Sequence, residues 1–148
     1  MKHKICWNFI DPLPVAVCDM RVNSASFDQK QTTLYCKKGL YYQEKKILTN
    51  YRIQMNIPLS DMLICLTKRI SLFPCRGYRY LSKYVLPNAF LRKLKKQSLE
   101  IYDIYKNDST NSYLIKGEFI NKKHYTGYSA TIQFFVSAGD TLTLYFED

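Results

Sequence analysis

Residues 58–74 read PLSDMLICLTKRISLFP, and the fold turns on whether this stretch is a helix or a strand. Ser60 has a side chain suited to capping a helix. Asp61 sits where the positive end of a helix dipole favours an acid. Leu59, Leu63, Leu66, Ile70 and Phe73 recur at spacings of four and three and form one apolar stripe. Lys68 and Arg69 fall in the last turn, and Pro74 stops the segment. The spacing predicts a helix over 60–73.

The stretch before it has a different period. In ILTNYRIQMNI (47–57), Ile47, Thr49, Tyr51, Ile53, Met55 and Ile57 share one face, while Leu48, Asn50, Arg52, Gln54 and Asn56 share the other. Alternation of that kind is a strand with one buried and one wet face. The expected packing sets the Ile47/Tyr51/Ile53/Met55 face on the Leu59/Leu63/Leu66/Ile70 stripe. PVAVCDMRV (14–22) and TTLYCKKGLYY (32–42) are also rich in β-formers, with a polar loop between them. After Pro74, RGYRYLSKYVL is extended. NAFLRKLKK (88–96) suits a second short helix, capped by Asn88 and covering about 88–97. SLEIYDIYK and SYLIKGEFI flank the turn cluster NDSTN, and two further strands flank SAGD. Strands outnumber helices, and the helices are grouped in the middle. The expected fold is α+β: one domain over 1–148, mainly antiparallel sheet with one or two short helices packed on it, and 1–12 as an N-terminal arm.

The charge is unevenly spread. Between Asp61 and Glu100 there is no acid, while nine bases occur: Lys68, Arg69, Arg76, Arg79, Lys83, Arg92, Lys93, Lys95 and Lys96. That segment carries +9 of the formal net charge of +10. A field so concentrated attracts a polyanion: RNA, a ribonucleoprotein or an anionic membrane surface. Ordinary solvated faces mix both signs, so the missing acids say more than the bases present. Arg forks match phosphate oxygens, and exposed Tyr rings could stack on bases. In one regular strand, however, Arg79 and Lys83 point away from Tyr78, Tyr80 and Tyr84. The expected arrangement turns those rings inward and leaves the charges wet.

Other chemistry has little support. The two His, His3 and His124, and the five Cys show no metal-ligand spacing. The thiols are expected as small buried hydrophobes in a reducing compartment. No nucleophile elbow, phosphate loop or dinucleotide fingerprint occurs. His124, beside Lys122 and Lys123, is the best candidate base and is expected in a loop. No cofactor, no metal and no enzymatic activity are expected. The chain opens on no signal peptide, and no apolar run approaches the ~18 residues needed to span a bilayer. The expected location is intracellular, with any membrane contact peripheral.

The order of four segments carries a resemblance: an alternating strand (EKKILTNYRIQMNI), PLSDMLICLTKRI as a short helix, the basic aromatic RGYRYLSKYVL, and a β-rich half containing HYTGYSATIQFFVSAGD. This order resembles the small matrix proteins of negative-strand RNA viruses. EKKILTNYRIQM is similar to a strand of the bornavirus type, and YTGYSATIQFFVSAGD to one of the rhabdovirus type. The likeness covers about 47–140. It departs from rhabdovirus matrix proteins in lacking a long Lys-rich, Pro-containing N-terminal tail, and no PPxY motif is present. No individual functional residue is carried over. The resemblance implies a one-domain α+β protein that self-associates as a homo-oligomer, touches anionic membrane, binds the nucleocapsid and resides in a virion. The alternative from the residues alone is a protein–protein adaptor or inhibitor that uses a sheet edge or the Tyr-rich surface.

Overall fold

The computed structural model describes residues 2–8, 15–17, 19–42, 45–47, 50–122 and 124–147. Its strands are β1 (Lys2–Asn8), β2 (Val15–Val17), β3 (Met20–Phe27), β4 (Thr32–Cys36), β5 (Leu40–Tyr42), β6 (Lys45–Ile47), β7 (Tyr51–Met55), β8 (Met62–Ser71) and β9 (Tyr78–Val85). The helix α1 (Pro87–Leu94) follows, then β10 (Ser98–Asn107), β11 (Ser112–Asn121), β12 (His124–Phe135) and β13 (Thr141–Glu147). Ten strands form one antiparallel sheet in the order β1-β13-β7-β4-β3-β10-β11-β12-β8-β9, and β2, β5 and β6 form a small second sheet. The described residues are mostly antiparallel sheet with one short helix.

The helix expected over 60–73 is a strand. A single 3-10 turn at Leu59–Asp61 leads directly into β8. Ser60 caps nothing; its hydroxyl meets Asp61 Oδ1 at 3.2 Å. The segment carries two apolar periods at once, and the second one wins. Met62, Ile64 and Leu66 are buried, while Leu63, between them, is 41% exposed. They face Phe134, Ile132 and Ala130 of β12 in register. Pairing with β12 on one side and β9 on the other also satisfies the backbone that a helix would have satisfied internally. The stripe Leu59/Leu63/Leu66/Ile70 therefore does not exist as a face.

The strand expected over 47–57 is split. Tyr51, Ile53 and Met55 of β7 are buried as the alternation requires, and Ile57 follows them into the core. Leu48 and Thr49 lie outside the described residues. Leu34 of β4 and Leu142 and Leu144 of β13 stand beside it in register on the same face, and the helical stripe expected to cover it is strand instead. Lys2–Asn8, expected within an arm, pair along their whole length with β13. The polar stretch after β2 is mostly strand too: β3 runs to Phe27 and turns through Asp28–Gln31 into β4.

The second helix is where Pro87 places it. Leu86 is extended, Pro87 takes the first helical position, and no side chain caps the start, so Asn88 does not serve as cap. Phe90 and Leu94 are buried. Phe90 packs between Phe27 of β3 (tilted, 6.0 Å between ring centres) and Phe119 of β11 (edge-on, 6.1 Å). This trio pins α1 onto the core face of the sheet. The residues of both halves of the sheet and α1 join in one hydrophobic cluster. Cys36 belongs to it, and burial pushes its thiol up to about 12. Cys65 is half-buried and Cys6 and Cys75 are exposed, so burial is not general among the thiols; Cys18 lies outside the described residues.

On the opposite face from Leu99 and Ile101, Glu100 ties three strands. Arg21 of β3 donates to its Oε2 at 2.9 Å, and the Tyr125 hydroxyl of β12 donates to its Oε1 at 2.7 Å. Burial pushes the Glu100 carboxyl up. The hydrogen bonds from Tyr125 and Arg21, with the charges of Arg21 and Lys38, outweigh it and hold the carboxyl below its ordinary 4.5.

Two outcomes are expected. In chemical denaturation, Leu66→Ala should cost about 2–4 kcal/mol and Leu63→Ala under about 1 kcal/mol. A helix stripe would make the two losses alike. Phe90→Ala should cost about 3–5 kcal/mol, and Lys95→Ala almost nothing. The second outcome concerns acid. Because the folded-state value of Glu100 is the lower one, its clip stabilises above the ordinary 4.5 and that contribution drains away as pH falls through the folded-state value. The acid limb of stability against pH should be shallower in Glu100→Gln than in the wild type; superimposable limbs would show that the clip contributes nothing.

Candidate polyanion interface

β8 and β9 form a long hairpin at one edge of the large sheet. Its base is part of the core, since Ile64 faces Val85 and both touch the cluster. Beyond Leu66 the core ends. Every residue from Ser71 to Tyr84 is exposed. The register sorts the side chains. Lys68, Ile70, Arg79, Leu81 and Lys83 share the face that continues the core, and Arg69, Ser71, Tyr78, Tyr80, Ser82 and Tyr84 share the other.

The structure divides the nine basic residues of 68–96 into groups. The first lies where the core-side face of the hairpin meets α1. Lys68 faces Tyr128 across the β8–β12 ladder, and its Nζ lies 5.6 Å from the centre of the Tyr128 ring. Lys93 reaches the same ring from α1, at 3.4 Å, and also lies 5.1 Å from the Phe119 ring. Partial burial pushes the Lys93 ammonium below its ordinary value. Tyr128 acts in the opposite sense, and Lys68 and Lys96 add to the effect of burial. Arg79 and Lys83 extend this group along β9. A second group stands apart. Arg69 is turned to the other face, its guanidinium 4.9 Å from the Tyr78 ring. Arg76 is in the turn, and Arg92 and Lys95 point to solvent around α1.

The rings are not inside. Tyr78, Tyr80 and Tyr84 are 57%, 62% and 73% exposed. The separation of rings from Arg79 and Lys83 on opposite faces holds; the inward direction does not, because β9 is an edge strand lying beyond the core. Among the described residues, none of the nine bases is in an ion pair; the pairs formed are Arg21–Glu100 and Lys106–Asp108. Among the described residues the patch is therefore without ion pairs in space, as it is without acids in sequence. Tyr128 was missed from the sequence. Reading 62–71 with period two would have set Lys68 on the core side of a strand, but nothing local names β12 as its neighbour.

Among the described residues no group of His, Cys, Asp and Glu could hold a metal ion. His124 begins β12 and is exposed, in place of the expected loop. No described helix is long and apolar enough to cross a membrane. Comparison of the chain with protein-family models, with curated proteins and with solved structures found no match. One of the four segments that carry the resemblance to viral matrix proteins, PLSDMLICLTKRI, is a strand and not a helix.

Lys93 gives a test that separates fold from site. Removing an ammonium that burial and two like charges disfavour should not weaken the fold. Lys93→Met should keep or raise the thermal midpoint while weakening the binding described next. A lowered midpoint would show that the contact with Tyr128 outweighs the repulsion.

Proposed function

We propose that this chain is a non-enzymatic binding and assembly protein that engages a phosphate-rich polyanion through the hairpin–helix surface. One observation carries the reading: Lys68 and Lys93 converge on Tyr128, with Lys96, Arg79 and Lys83 around them and no carboxylate in ion-pair reach among the described residues. Holding like charges together costs free energy in the isolated chain, and a bound polyanion reverses the sign of that cost. RNA, a ribonucleoprotein and an anionic membrane present the same phosphate chemistry. The likeness of 44–57 and 124–140 to matrix-type proteins points in the same direction, and self-association fits such a role.

Binding should weaken steeply with salt, with a log–log slope of roughly −0.7 per phosphate neutralised on single strands. Fluorescence anisotropy with labelled poly(U), and flotation with phosphatidylserine vesicles, read the two sources separately. Lys68→Gln, Lys83→Gln, Lys93→Gln and Lys96→Gln combined should remove the interaction, while Arg92→Gln with Lys95→Gln should lower it modestly. A flat salt dependence, or equal losses from the two sets, contradicts the reading.

A second reading has one observation in its favour. Among the described residues the outer edge of β9 has no neighbouring strand in the large sheet, so it could accept an extended segment of another protein. Such a segment would have to be acidic. A stoichiometric protein partner retained after nuclease treatment would support it.

A further inference from the structure

We infer that the β8–β9 hairpin inserts its tip into an anionic lipid bilayer; this rests on the polyanion reading and selects the bilayer among the possible ligands. The turn is closed by the Leu72 amide donating to the Gly77 carbonyl at 3.2 Å, and Gly77 has the positive φ (+124°) that favours glycine. Phe73, within that turn, is 89% exposed, and Leu72 beside it is also exposed. Water is a poor environment for a phenyl ring so placed. Nothing in the fold calls for it, because the core ended near Leu66.

What stands behind the tip is ordered by depth. Arg76 is in the turn itself. Tyr78 and Arg79 follow at the end of the ladder, then Arg69 with Tyr80 and Lys68 with Leu81, then Lys83 and Tyr84. An apolar Leu72–Phe73 tip with one Arg in its turn, followed by mixed Tyr and cations, is the composition of a segment that enters a bilayer shallowly. Rings sit at headgroup level, cations meet lipid phosphates and carboxylates, and long Arg side chains reach back to the interface. Insertion of about 5–10 Å would submerge Leu72 and Phe73 and leave the cations at the surface.

Two other occupants fit less of the surface. Single-stranded nucleic acid would use the cations and the Tyr rings but leaves Leu72 and Phe73 in water. A second copy pairing two-fold on β9 about Leu81 would set each Arg79 against the Lys83 of the other copy, with no acid between Met62 and Leu99 to relieve them.

The test uses the full chain and vesicles of phosphatidylcholine, with and without phosphatidylserine. The wild type should float only with the anionic vesicles. Leu72→Ser with Phe73→Ser should weaken flotation about ten- to a hundredfold, the effect of losing an apolar burial of this size. It should leave poly(U) or heparin binding and the thermal midpoint unchanged. Phe73→Trp should show a blue-shifted emission on anionic vesicles that brominated acyl chains quench, above the background set by Trp7 in the parent. Flotation with Phe73→Trp emission unshifted would overturn insertion while leaving polyanion binding intact. Binding to poly(U) with none to anionic vesicles would overturn it in favour of nucleic acid. Binding to neither would remove the polyanion reading with it.

Discussion

Ile64 facing Ile132, flanked by Met62 facing Phe134 and Leu66 facing Ala130, is the constraint on which the cationic half of the molecule depends. Side chains alternate across a strand, so a slip of one residue would send all three to the wrong face. With the register fixed, Lys68 must lie beside Tyr128, and Arg69 must point the other way. Because β8 is ten residues long and its core-facing run stops at Leu66, the register also decides how much of the hairpin projects. The cationic surface is thus a consequence of packing at its base. The sheet buries a small set of apolar side chains and, by doing so, cantilevers a charged ribbon into solvent.

Such a ribbon carries hazards that its sequence answers. An exposed edge strand invites pairing with another chain, and cations on it discourage that. Arg79 and Lys83 do so on β9. The cross-strand hydrogen bond between Thr67 and Ser82, 2.8 Å long, adds a polar tie where no core is available. α1 braces the other side through the Phe27–Phe90–Phe119 contacts, which fix where Lys93 and Lys96 stand relative to Lys68. The helix is short and contributes little by its own propensity; its position is set by two buried side chains.

Much of this was legible in the sequence, and what was not has a physical cause. The alternation of Tyr51–Ile57, the hairpin around NDSTN, the start of α1 at Pro87 and the acid-free segment all follow from local chemistry. Residues 58–74 did not. Leu59, Leu63, Leu66 and Ile70 satisfy a helical period, while Met62, Ile64 and Leu66 satisfy a strand period, and Leu66 belongs to both. Only the neighbours decide, and β12 lies more than fifty residues away along the chain. The Tyr rings of β9 were assigned inward because alternation reports that two faces differ and not which one is covered. Where neither is covered, as beyond Leu66, the pattern has nothing to report. The strands about SAGD are a related case: β12 and β13 flank that turn, yet they pair with different neighbours and not with each other.

That last arrangement bears on how the molecule is made. β13 is inserted between β1 and β7, two strands synthesised long before it. During translation β1 emerges before β13, its one partner strand among the described residues, and waits for it while well over a hundred residues follow. The hairpins β8–β9 and β10–β11, by contrast, can close locally as they appear. Local pairing favours a cationic edge formed early and an opposite edge sealed last. The nascent chain displays its cationic ribbon before the far side of its own sheet exists.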